Sequence, residues 1–135
     1  MDILTLKKDL PAIEDGRWVD KDELPALQEV RLKVRSYNSK YVQDRDQARK
    51  RDVKPEEMDG EKLKPEVLNR LGLAMLQDVL VDVENLTMGD QKLDIDQVRV
   101  LIVDVAYEPF SALILQASRI VHNSRVARKK EISGN

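Results

Sequence analysis

The single histidine, His122, and the carboxylate pair Asp78 and Asp82 are the residues whose type and spacing come nearest to chemistry in this chain. Nucleophilic catalysis sets a base beside a serine or cysteine. There is no cysteine, and the one histidine falls inside an apolar-periodic segment near the carboxyl end. A partly exposed structural role, without catalysis or ligation, is the expectation for His122. Asp78 and Asp82 stand four apart, so on a helix they would share a face and could hold a hard cation or act as an acid/base pair. No histidine or further carboxylate stands at ligand spacing beside them, and they read as a solvated polar stripe. Neither GxxxxGK[ST] nor GxGxxG occurs, so no loop of phosphate-cradling type is legible. Catalytic, cofactor and metal residues are therefore expected to be none, and the chain reads as a binding protein rather than an enzyme.

Two basic clusters, in residues 45–54 and 125–130, raise the question of nucleic acid, because Lys and Arg release counterions from a phosphate backbone. The first is diluted by Asp46 and Asp52, with Asp44 beside it, and neither carries interleaved aromatics. The second reads as a helix end, where the dipole favours cations. Nucleic acid is accordingly not the partner expected on this reading, and a small nucleic-acid-binding regulator ranks third among the functions considered. Overall, 23 basic side chains face 25 acidic ones for a net charge of −2, so bulk charge selects no polyanionic partner. The absence of cysteine excludes disulfides and thiolate metal sites and suits a reducing cytoplasm. No signal peptide or membrane span is readable, the densest apolar run being residues 100–103.

Whatever these residues do, a single domain spanning 1–135 has to position them, since the length allows one modest core and no more. Aromatic residues make up 4% of the chain, so that core must be aliphatic. The fold class expected is α+β, mostly α: an N-terminal β-hairpin followed by a bundle of about four helices. Val30, Leu32 and Val34 alternate with Arg31, Lys33 and Arg35, the period of a half-buried strand. Its expected partner is Arg17-Trp18-Val19, set off by the turn-like Glu14-Asp15-Gly16, which places the hairpin at about 15–37. The helical region is expected over about 39–130. It opens with a short surface helix capped by Ser39, followed at about 53–64 by a charged stretch with Pro55 and Gly60 that reads as a linker or mobile loop. From Pro65, apolar residues recur at three- and four-residue intervals to Val83, predicting a central helix ending near Asn85 and then a loop in which Gly89 takes a positive φ. Asp94 and Gln97 resemble a capping box for a helix carrying Ile95, Val98, Leu101, Ile102 and Val105, although the β-branched content of residues 100–103 also permits a buried strand. Pro109 opens the last helix, with Phe110, Leu113, Ile114, Ala117, Ile120 and Val121 on one face.

Taken in order, Asp15-Gly16-Arg17-Trp18-Val19, the basic strand from Val30 through Ser39 leading into Tyr41, the stretch Leu80-Val81-Asp82-Val83-Glu84-Asn85-Leu86-Thr87 and the region from Asp94 to Phe110 resemble the tail assembly chaperones of long-tailed phages. The likeness spans roughly residues 15–124 and lies in order and spacing rather than in one motif. It implies a protein that binds the long, helical tape measure protein, keeps it soluble and helps recruit tail tube protein subunits. It also implies residence in the host cytoplasm, absence from the mature virion and a possible homo-oligomer. Adaptable aliphatic faces containing Met58, Met75 and Met88 suit such a partner. The partner-binding residues expected are Phe110, Leu113 and Ile114 on the last helix, with Trp18 on the hairpin as a second surface. A head-tail connector or tail terminator subunit, in which the same layout would build a ring, is the alternative.

Overall fold

In the computed structural model of the protein, residues 1–126 are described, and they form an α+β fold that is mostly α. A short helix, α1 (Leu10–Asp15), starts where the Asp9 carboxylate accepts from Ala12 N. It stops at Gly16, whose φ of 93° is open to glycine and strained for other residues. The chain then runs into β1 (Arg17–Val19), which pairs antiparallel with β2 (Arg31–Val34), Val19 opposite Leu32. The alternation read in the sequence holds, because Leu32 and Val34 are fully buried while Arg31 and Lys33 are only partly so. Ser39 caps α2 (Lys40–Arg51) by accepting from Val42 N.

Residues 53–64, expected as a linker or mobile loop, form a 3-10 turn and a minimal hairpin of β3 (Met58–Asp59) and β4 (Lys62–Leu63). Glu57 ties this segment down: its carboxylate accepts from Lys54 N and pairs with Arg70 at 2.7 Å. Both contacts favour the charged form, so its pKa lies below the ordinary value, with the Lys54 amide the larger cause.

The central helix is the main departure from expectation. α3 (Pro65–Val79) ends at Val79, and the residues expected to prolong it form a third strand, β5 (Leu80–Glu84). β5 pairs antiparallel with β2, giving the sheet order β1-β2-β5 with β2 at its centre. The register shifts between Lys33 and Val34, so that Leu80 rather than Val81 faces Val34. One extra residue in a strand puts positions three apart on the same face. Leu80 and Val83 are therefore both buried, and their spacing imitates a helix. The bulged Val81 lies against Gly16, where a methyl group added to the glycine would sit 3.1 Å from Val81 Cγ2 and 3.2 Å from the Val34 carbonyl oxygen.

Beyond β5 a tight hairpin joins β6 (Thr87–Met88) to β7 (Gln91–Lys92), with Gly89 at φ 61° as expected. α4 (Ile95–Leu101) follows behind the reciprocal Asp94/Gln97 capping box, so the helical alternative holds for its residues, although it stops well before Val105. A 3-10 turn (Val105–Tyr107) leads into α5 (Glu108–His122). That helix ends at His122, and Arg125 forms an extended bridge to Lys8 instead of a helix end. The rest of the second basic cluster, and the expected helix beyond residue 126, lie outside the described residues.

Val19, Leu32, Val34 and Leu80 from the sheet and Ile114, Ala117 and Val121 from α5 form one sealed cluster with Val42, Val79, Val98 and Ile102. Full burial of each large aliphatic side chain contributes about 1.5–3 kcal/mol. Ser118 stitches α5 to the strand end, donating to the Arg35 carbonyl at 2.9 Å while accepting from Tyr37 N at 2.8 Å.

Candidate functional site

At the end of the molecule remote from α1, the β6–β7 hairpin, α4 and the start of α5 frame an open apolar groove of about 290 Å³. Val98, fully buried, forms its base. Leu86, Leu93, Leu101 and Phe110 form the walls, and Met88 and Tyr107 are half-exposed at the rim. Leu93 N donates to the Leu86 carbonyl at 2.9 Å, so the two residues that close the hairpin are held side by side facing the groove. The volume falls just short of the roughly 300–1,000 Å³ common for ligand pockets.

Outside the groove lining, α4 and the turn that follows it carry further exposed apolar side chains. Val100 is 70% exposed, Val103 47% and Val105 81%. On α4 itself the exposed face is mostly polar, with Asp96 and Gln97 beside Val100, so the excess of exposed apolar surface lies chiefly beyond its end, at Val103 and Val105. An open apolar site lined almost wholly by aliphatic and aromatic side chains offers binding rather than bond-making chemistry.

Of the residues expected to meet a partner, only Phe110 lines this groove. Leu113 is half-buried against the core, and Ile114 is fully buried within it, so Ile114 holds the fold and presents no surface. Trp18 lies on β1, at the opposite edge of the sheet from β5, half-buried with the Arg31 guanidinium 4.8 Å from its ring centre. The structure thus separates Trp18 from the groove instead of joining the two surfaces. Leu86, Leu93, Leu101 and Tyr107 are groove residues that the sequence did not mark as such. The available signal is the run of residues 100–103 with Val105 close behind, too many apolar side chains for one face of so short a helix.

The polar residues singled out from sequence have other work. Asp78 and Asp82 share no helical face, since Asp78 stands near the end of α3 and Asp82 is exposed on β5. Asp78 is not a solvated residue: its buried carboxylate pairs with Arg45 at 2.9 Å and Arg49 at 2.6 Å. These two guanidiniums offset the cost of placing an anion at a helix C-terminus. Lys50 pairs with buried Asp46, so much of the first basic cluster is engaged in ion pairs on α2 and across to α3. Among the described residues no group of three or more His, Asp or Glu could hold a metal ion. Nor is any helix among them long and apolar enough to cross a membrane.

His122 closes the molecule at its other end. Its Nδ1 lies 2.8 Å from Ser36 Oγ and its Nε2 3.5 Å from Lys8 Nζ, with its ring 5.3 Å from that of Tyr37. Burial, then the charges of Lys8 and Arg125, hold its pKa below the ordinary 6.5. The neutral ring therefore sits in a clasp that also holds the N-terminal segment, where Asp9 N donates to the Ser124 carbonyl and Val126 N to that of Lys7.

Comparison with protein-family models, with curated proteins and with solved structures found no match to this chain.

Proposed function

We propose that this chain is a tail assembly chaperone of a long-tailed phage, a non-enzymatic protein that holds the tape measure protein in soluble form and helps recruit tail tube subunits. Its place of action on this reading is the host cytoplasm, and it leaves before the virion is finished. The observation that carries the proposal is the open apolar groove between the β6–β7 hairpin, α4 and the start of α5, with Met88 and Tyr107 half-exposed at its rim. A partner helix laid into such a groove buries its own apolar stripe and the rim together. The ordered resemblance of residues 15–124 supplies the identity of the partner, and Met88 at the rim supplies an adaptable contact for apolar surfaces of varied sequence.

Co-expression with the tape measure protein of the same phage tests this. Soluble tape measure protein that co-purifies with the chain is the expected result; insoluble tape measure protein in the presence of abundant folded chain contradicts it.

One observation favours the ring-forming alternative, a head-tail connector or tail terminator subunit. Ile3, Leu4, Leu6 and Leu10 form a second exposed apolar set at the N-terminal end. A chain with complementary apolar surfaces at two different places can associate head to tail, and a closed ring results if the rotation closes. A stable ring formed by the chain alone, without any partner, would favour that alternative.

A further inference from the structure

The segments that frame the groove carry a marked charge imbalance. Residues 86–110 hold five carboxylates, Asp90, Asp94, Asp96, Asp104 and Glu108, against two cations, Lys92 and Arg99. The net charge of the entire chain is −2, so this stretch alone accounts for the acidity. All five carboxylates are exposed or half-exposed, and each stands within three positions of a residue lining the groove. Of the two cations, Arg99 donates from Nη2 to the Leu80 carbonyl at 2.8 Å and its Nη1 stands 3.8 Å from the Asp96 carboxylate, which it partly offsets, while Lys92 is exposed on β7.

Local structure explains part of this pattern and not all of it. Asp94 and Asp104 cap the turns that follow them, and Asp96 and Glu108 lie in first helical turns where the dipole favours an anion. Asp90 sits in the β6–β7 turn, between the two strands, where no helix end calls for an anion. Whatever placed them, the five charges stand on the same segments as the groove lining and within three positions of it along the chain, a reach of about 10 Å over which salt screens only partly. A cleft with an apolar base and flanks of net negative charge attracts a cationic ligand and repels an anionic one.

Resting on the reading of the groove as a partner-binding site, we infer that it selects an apolar helix flanked by basic side chains and rejects one flanked by acidic ones. The apolar stripe enters between Leu86, Leu101 and Phe110, and the flanking Lys and Arg side chains reach the carboxylate rim. Attraction at an exposed rim is weak for each pair and accumulates over two or three pairs to a discrimination on the order of tenfold. It acts mainly on the association rate, which gives the selectivity a strong dependence on salt.

The test uses the full chain and two labelled synthetic helices with the same Leu and Phe stripe, one with Lys and the other with Glu at the flanking positions. Fluorescence anisotropy at low salt should show the Lys peptide binding about tenfold more tightly, with the gap narrowing as salt is raised. Asp90→Lys with Asp96→Lys should invert the preference, and the milder Asp90→Asn with Asp96→Asn should reduce it. Equal binding of the two peptides, or a preference that survives the charge reversal, would overturn the inference. Binding of neither peptide while the tape measure protein still co-purifies would also overturn it and leave the proposed function standing. Selective capture of the Lys peptide by a chain that fails to hold the tape measure protein would uphold the selectivity and remove the chaperone reading.

Discussion

The seam between the sheet and α5 and the end framed by the β6–β7 hairpin, α4 and the first turn of α5 are built from the same kinds of side chain. In the seam, Leu32, Val34, Ile114 and Val121 are fully buried. At the framed end, Val98 is sealed, while Val100 and Val105 stand mostly in water. The contrast separates two uses of one chemistry. An aliphatic residue whose neighbours come from the sheet and a long helix contributes stability. The same residue on a seven-residue helix, with too little protein beyond it, stays available to something else.

Substitutions should divide along the same line. Ile114→Ala empties a fully buried site in the seam, and a loss of about 2–5 kcal/mol is expected, read as a fall in denaturant midpoint. An unchanged midpoint would mean that the seam is not the stabilising region. Gly16→Ala acts on the sheet edge instead: a methyl there meets the bulged Val81 and the Val34 carbonyl on a backbone with φ of 93°. About 1–3 kcal/mol should be lost, and chemical unfolding measures it. The clasp at the other end gives a smaller, pH-dependent effect. Because the folded-state pKa of His122 is depressed, the unfolded chain takes up a proton first as pH falls. Stability is thus fully present above about 6.5 and is lost as pH drops from there through the lower folded value. His122→Gln should flatten the slope of melting temperature over roughly pH 5–7, and a slope left unaltered would deny the clasp that role. Smallest of all should be Val105→Ser, within about 0.5 kcal/mol of the parent in stability, because the side chain is already exposed. A large loss there would show that the framed end is sealed in solution and that the contrast is false.

What is legible in the sequence follows the range of the forces involved. The β1–β2 hairpin is readable because the alternation of Val30 to Arg35 is local and one face is buried. The caps at Ser39 and Asp94 are readable for the same reason, each needing only a side chain and an amide three positions on. β5 is hidden because a bulge gives Leu80 and Val83 a helical spacing, and only the unpaired edge of β2, far back along the chain, decides otherwise. Asp78 looks solvated in sequence because its partners, Arg45 and Arg49, come from another helix. At the groove, Phe110 is legible from its place at the start of α5. Ile114, one turn on, is core, since which side of a helix meets the sheet depends on packing and not on composition.

On the proposed reading, the groove framed by the β6–β7 hairpin, α4 and the start of α5, and not the Trp18 edge, holds the tape measure protein. Co-purification of that protein should be compared among the parent chain, a Met88→Asp and Tyr107→Asp double variant at the groove rim, and Trp18→Ala, all first matched for melting temperature. Loss of the tape measure protein from the double variant, with retention by Trp18→Ala, is the result predicted; retention by the double variant would contradict the account.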